Sequence, residues 1–162
     1  MYLVDNEIVA LINRGYGIVE GYNKDSLGSI SYDMHLDQAY QLTGEQKSIE
    51  ANGTYVFNPL EPVIVKLKEK IKVPSDGIIK LEPRNYVIRM GLDIKAPVYQ
   101  PGHETYCFIR AINMTDKVIK LPENFSLVQA FFGKLNFVPD KLYGTKPHDR
   151  YQNEQKYIKS NF

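Results

Sequence analysis

The feature that most constrains this chain is the rhythm that sets in after its first thirty or so residues. Short apolar or alternating runs follow one another: "SISYDMHL", "GTYVF", "EPVIVKLK", "GIIKLE", "NYVIRM", "TYCFIRAIN", "KVIKL" and "FSLVQAFF". Alternation with a period of two puts one face of a strand into a core and the other into water. Between the runs stand "PSDG", "QPGHE", "NMTDK" and "LPEN", where Pro, Gly, Asn and Asp supply the backbone angles and local hydrogen bonds of turns. Many short strands with frequent turns predict a mainly β fold of sandwich or distorted-barrel type. One helix precedes them. Asp5 is placed to cap it, Ile8, Leu11 and Ile12 repeat at helical spacing, and Gly15 stands where a left-handed stop belongs.

At 162 residues such a chain can bury one core without disulfide or metal staples. Its 43% hydrophobic and 24% charged content is that of a soluble globular domain. A net charge of +1 provides no global field for nucleic acid or an anionic membrane, so an anion site must be local and no direct nucleic-acid binding is expected. The single cysteine, Cys107, excludes an intrachain disulfide. The opening "MYLVDNEIVALINRGYG" lacks the plan of a secretory leader, and no apolar run nears the ~20 residues of a membrane span. The expectation is a cytoplasmic protein with no membrane partner. From Pro139 the sequence turns polar and loses both periods while keeping Tyr143, Tyr151, Tyr157 and Phe162. Residues 1–138 therefore read as a β domain. Residues 139–162 read as an arm, which either frays or orders over a ligand or a neighbouring subunit.

Several chemistries are absent. No Gly-rich loop ends in Gly-Lys-Ser/Thr, and no G-x-G-x-x-G follows a strand. One cysteine and three scattered histidines (His35, His103, His148) do not make the zinc pattern of metal-dependent nucleobase deaminases or a structural zinc site. Cys107 lies in an apolar strand, where a thiol is ordinarily buried and inert.

The stretch "EPRNYVIRMGL" resembles the dCTP deaminase branch of the dCTP deaminase and trimeric dUTPase superfamily, which carries Arg-Ser-Ser-x-x-Arg-x-Gly-Leu. Arg84, Asn85, Tyr86, Arg89, Gly91 and Leu92 fill that frame. "LVDNEIVALINRGYGIVEGYNKDSLGSISYDMHL" is similar to the family's opening helix and its Ser-Tyr-Asp-x-x-Leu strand, and "VPSDGIIKLEPR" to its Leu-Pro-Asp lead-in. "KLPENFSLVQAFFGKL", with Gln129, resembles the Pro-Gly-x-x-I-x-Q-L-x-F-F strand. "LYGTKPHDRYQNEQ" resembles the tail that closes over the nucleotide. The resemblance implies a distorted β-barrel, jelly-roll-like dUTPase fold with a short N-terminal helix and an extended C-terminal arm. It also implies a homotrimer with sites between subunits, and a deoxynucleoside triphosphate or related nucleotide as ligand. No cofactor is implied beyond Mg2+ carried on a bound triphosphate. The implied nucleotide contacts are Arg84, Asn85, Arg89, Gln100, Arg110, Gln129, Tyr143, Arg150 and Gln155. Arginine suits such a ligand because its guanidinium forks onto phosphate oxygens.

The departures fall at the reacting centre. The family's glutamate in Leu-Glu-x-x-Asn, which works on the attacking water and the pyrimidine ring, is Arg110 when the frame is anchored on the Pro-Gly turn and Asn113. Arginine accepts no proton, and loss of a positioned acid–base group costs about 10²–10⁴ in rate. The supporting serine becomes Asn85, the aspartate before Pro-Gly becomes Gln100, Arg150 replaces a lysine, and Glu154 stands where the tail glutamine belongs, with Gln155 one place later. Glu82, Asp93 and Glu104 flank the centre, and Glu104 is the candidate replacement base; no catalytic residue is otherwise assigned. Arg110 has two readings: a fork for a phosphate or a ring carbonyl, or a plug paired with an acidic residue such as Glu82 or Glu104. Function divides accordingly. One reading is a dCTP deaminase-like nucleotide-binding protein of pyrimidine deoxynucleotide metabolism that is catalytically impaired. A second is an active divergent dCTP deaminase or dUTP pyrophosphatase. A third is a non-catalytic regulator or sequestering protein that binds a nucleotide signal or a protein partner.

Overall fold

The computed structural model describes residues 1–159; Phe162, one of the tail aromatics, lies outside the described residues. Helix α1 (Asp5–Asn13) buries Ile8 and Leu11. Its cap is Val4 and not Asp5: the Glu7 carboxylate reaches back 3.0 Å to accept from the Val4 N–H, leaving Asp5 as the first helical residue. Glu7 thus satisfies one of the amides that a helix start leaves open. Gly15, at φ +81°, ends the helical run as expected, its N–H donating to Ile12 O.

The strands are β1 (Gly17–Glu20), β2 (Tyr32–Gln41), β3 (Glu50–Ala51), β4 (Thr54–Phe57), β5 (Pro62–Lys72), β6 (Gly77–Pro83), β7 (Leu92–Lys95), β8 (Val98–Tyr99), β9 (Glu104–Asn113), β10 (Ile119–Pro122) and β11 (Ser126–Lys134). Seven of them form the ordered path β7-β9-β5-β2-β11-β6-β8, with β1 added on β5. This antiparallel sheet is curled into a half-barrel, and β10-β4-β3 make a small second sheet. The mainly β, distorted-barrel architecture with a short N-terminal helix expected from the strand rhythm is the one observed.

Alternation carries the core. Along β9 the residues Thr105, Cys107, Ile109, Ala111 and Asn113 are buried, while Glu104, Tyr106, Phe108, Arg110 and Ile112 share the opposite, half-exposed face. Tyr32, Met34, Leu36, Leu67, Ile71, Ile79 and Phe132 fill the interior at 0–1% exposure, each contributing about 1.5–3 kcal/mol of apolar burial. The β5–β9 register slips between Lys66 and Lys70, and such an irregularity re-aims side chains. Within it Glu69 is buried, and its carboxylate accepts from the His35 N–H at 2.9 Å and sits 2.6 Å from His35 Nδ1.

One expected strand is a helix. "NYVIRM" reads as an apolar β run, yet Asn85–Arg89 form a short helix, α2, capped by Arg84 in extended conformation. Only Val87 of the run is buried, while Tyr86 and Ile88 are exposed. Gly91 closes the turn at φ +88°, and a Cβ there would lie 2.4 Å from Thr115 Cγ2, so both the backbone angle and the contact require glycine.

Asn113 ties this corner together. Its Nδ2 donates to Phe57 O (2.9 Å) and Lys117 O (2.7 Å), and its Oδ1 accepts from the Thr115 N–H and hydroxyl. All of the amide's hydrogen-bonding capacity is directed inward, so Asn113 is a structural anchor. No helix among the described residues is long and apolar enough to cross a membrane.

Candidate functional site

The residues singled out in the sequence fall at three places. The first is α2 and the strand beneath it. Arg84 leaves β6 with its guanidinium ion-paired to Asp33 of β2 and its Cζ 5.2 Å from the Tyr86 ring centroid. Arg89, one helical turn on, is exposed and donates from Nε to Asn85 Oδ1 at 3.2 Å. Gln129 on β11 lies in register between Asp33 of β2 and Glu82 of β6, and its Oε1 accepts from the Ser31 hydroxyl at 3.3 Å. Asp33 is the residue that sequence reading missed. Its signal was its place in the Ser-Tyr-Asp strand, and its effect is to offset part of the Arg84 charge that a phosphate would otherwise meet.

The second place is the half-exposed face of β9. Arg110 sits between Ile64 of β5 and Lys95 of β7. Its terminal Nη2 lies 3.9 Å from Asp93 Oδ2, and its Nε is buried with no hydrogen-bond partner. The acidic residue it faces is thus Asp93, and neither Glu82 nor Glu104. Glu82 pairs with Lys80, and Glu104 is held by Lys70 at 3.1 Å and Lys72 at 3.3 Å. The Lys70 hydrogen bond, helped by Lys72, lowers the Glu104 pKa below the ordinary carboxylate value. A carboxylate so stabilised in its charged form is a weak proton acceptor.

The third place is the Pro-Gly turn, where the arm lies against its own chain. Gln100 is exposed immediately before the turn. At Gly102, φ +88°, a Cβ would come within 3.0 Å of Leu142 Cβ and Tyr143 O, so the arm rests directly on the turn. The Tyr143 ring stacks on His103 at 3.8 Å, and Tyr143 Oη accepts from the Tyr151 N–H. The main chain of Asn153 donates to Glu104 O at 2.6 Å, and Glu154 N–H donates to Thr105 Oγ1 at 3.0 Å. A cavity of about 440 Å³ opens between arm and turn, lined by Gln100, His103 and Tyr143 together with Tyr99, Tyr151 and Tyr157. Arg150 lies in an exposed turn of the arm, and Gln155, also exposed, donates to Asn153 Oδ1. Burial lowers the His103 pKa and raises that of Glu154. His103 Nε2 lies 2.9 Å from Tyr151 O, a distance that suits the neutral ring donating through Nε2–H. Cys107, on the inward face, has its pKa pushed up to about 12 by burial, which keeps the thiol protonated and unreactive.

Residues 2–135 match the family model described as dCTP deaminase-like. The chain belongs to the dCTP deaminase-like family. Similarity to a dUMP-forming dCTP deaminase of Leifsonia xyli runs at 23% identity over 96% of this chain and 87% of that protein, so it extends into the arm. Among solved structures, the 2'-deoxycytidine 5'-triphosphate deaminase of Agrobacterium tumefaciens superposes with a TM-score of 0.70 at 16% identity, covering 82% of this chain. The chain spans 48% of that larger protein. The native EIAV dUTPase gives a TM-score of 0.51 at 14% identity over 71% of this chain and 83% of its own. The likeness in both cases is one of fold.

Within this dCTP deaminase-like chain, the fold brings Arg84, Asn85, Arg89 and Gln129 to one corner, and Gln100 and Tyr143 to another. Arg110 lies on the β9 face between β5 and β7. His103 and Tyr99, which shape the cavity, were not singled out in the sequence; the Pro-Gly-His order was the available signal for the first. Among the described residues no group of three or more His, Cys, Asp or Glu side chains is placed to hold a metal ion.

Proposed function

We propose that this dCTP deaminase-like protein of nucleotide metabolism binds a pyrimidine deoxynucleoside triphosphate, or a nucleotide like it, with little or no deamination. One observation carries the reading: Arg110 stands where the resemblance expects a glutamate, and it faces Asp93 at 3.9 Å. A guanidinium neither takes the proton of an attacking water nor returns it to a ring nitrogen. Glu104, the other candidate, is committed to Lys70 and Lys72. The binding half of the site keeps its chemistry in Arg84 and Arg89 at the two ends of α2, the aromatic turn with Tyr143, and Gln129. In this reading Mg2+ enters as part of the ligand, and α2 and β9 of different subunits meet across a homotrimer closed by the arm.

Calorimetry with dCTP and Mg2+ tests the binding half. The expected result is a saturable isotherm, weakened about tenfold or more by Arg84→Ala or Arg89→Ala, as for lost charge-assisted hydrogen bonds of roughly 1.5–3 kcal/mol. Absence of binding by every deoxynucleoside triphosphate tried would sink it.

A further inference from the structure

The tip of the β3–β4 hairpin carries a reactive pair that the proposed nucleotide binding does not use. The two strands pair as Glu50↔Tyr55 and Ala51↔Thr54, and Asn52-Gly53 is the two-residue turn between them. Both turn residues have positive φ, +54° and +75°, as a type I′ hairpin turn requires. This is the chain's single Asn-Gly step. Both residues are exposed, and a Cβ on Gly53 would meet nothing within 4 Å. Neither a side chain of its own nor a neighbour therefore shields the Gly53 nitrogen.

Two contacts set this asparagine apart from the others. The Asn52 side-chain amide holds no hydrogen bond among the described residues, whereas Asn113 is engaged in the core, Asn85 accepts from Arg89 and Asn124 from Lys68. The Gly53 N–H donates to Glu50 Oε1 at 2.6 Å. A carboxylate so placed can take the proton that an amide nitrogen must lose when it attacks a carbonyl carbon. Asn58, on β4's far side, is the opposite case: Pro59 follows it and has no N–H to lose.

We infer that Asn52-Gly53 is a self-modification site, where the chain deamidates through a succinimide with Glu50 as the acid–base group. The Gly53 nitrogen bonds to Asn52 Cγ and passes its proton to Glu50. The Cγ–Nδ2 bond then breaks, and Glu50 returns the proton to the departing ammonia. Water opens the succinimide ring at either carbonyl, leaving aspartate or isoaspartate at position 52. Aspartate adds a negative charge at the tip. Isoaspartate also lengthens the backbone of a turn whose length sets the register of β3 on β4. The result is a slow, irreversible mark on this hairpin.

Incubation of the full-length protein near neutral pH, followed by trypsin and fragment mass analysis, tests this. Residues 48–66 leave as one peptide carrying both Asn52 and Asn58. Against a sample digested at once, amide-to-acid conversion is expected to grow with time at 52 and not at 58, with aspartate and isoaspartate both present. Glu50→Gln, on an exposed strand, should slow the conversion about tenfold or more. Three outcomes overturn the inference: no conversion at 52 while a synthetic Ala-Asn-Gly-Thr peptide converts fully, an unchanged rate in Glu50→Gln, or equal conversion at 58. Aspartate without isoaspartate would mark direct hydrolysis of the side chain and equally overturn it. No arm of the experiment reads dCTP binding, so its failure and that of the nucleotide reading are separable.

Discussion

A carboxylate and a guanidinium at one strand position act oppositely on a bound pyrimidine ring: the first moves protons, the second only donates hydrogen bonds. Arg110→Glu restores the acid–base group but not its surroundings, because Asn85 and Gln100 remain and the new carboxylate faces Asp93. We expect this variant to stay without dCTP turnover and to bind dCTP no better than the parent, as read by calorimetry and product analysis. Asn113 makes a different residue-scale prediction. With its amide bonded to Phe57, Lys117 and Thr115, Asn113→Leu strands several buried groups and should lower stability by about 2–4 kcal/mol in a urea titration. The sequence marked both positions through one alignment frame yet could not separate their roles. An asparagine that fits the frame and an arginine that breaks it read alike until the direction of each side chain is known. The same holds for Asp33: its charge is visible in the sequence, but its pairing with Arg84 spans β2 and the end of β6 and is set by strand register.

At the scale of elements, the long strands were legible because burial alternates along them, as in β9. Helix α2 was not. Five residues do not complete two turns, so no helical period shows, and the β-branched Val87 and Ile88 argue for a strand. What decides is tertiary: Val87 is buried, Gly91 turns the chain, and Thr115 occupies the space a side chain at 91 would need. Gly91→Ala should therefore cost about 1–3 kcal/mol, measured by chemical denaturation.

The arm was legible only as polar and aromatic, because its packing depends on contacts nearly fifty residues away along the chain. Its docking should respond to pH through two opposed groups. His103 has a lowered pKa, so its contribution is full above the ordinary imidazole value of 6.5 and is lost as pH falls through the lowered folded value. Glu154 has a raised pKa, so docking is favoured below the ordinary 4.5 and weakens as pH rises through the raised folded value. Glu154→Gln removes the second effect. In that variant hydrogen-exchange protection of residues 143–158 should fall monotonically on acidification below about pH 6.5, and protection independent of pH would contradict the assignment to His103.

For the whole molecule, the family frame and the antiparallel half-barrel agree, and strand order was the part of the topology that no local pattern encoded. The pairing of β5 with both β2 and β9 follows from how the chain curls, not from any single run. Assembly belongs to this scale. Light scattering is expected to give three times the 18.6 kDa chain mass, whereas a stable monomer would remove the intersubunit site on which the proposed nucleotide binding depends. The central claim is that a deaminase-like scaffold here holds a nucleotide without the acid–base group that turns it over. It is tested most directly by incubating the purified protein with dCTP and Mg2+ and separating the nucleotides by chromatography. The account predicts dCTP recovered unchanged, with dUTP and dUMP at the level of a protein-free control; dUTP or dUMP accumulating in proportion to protein concentration would contradict it.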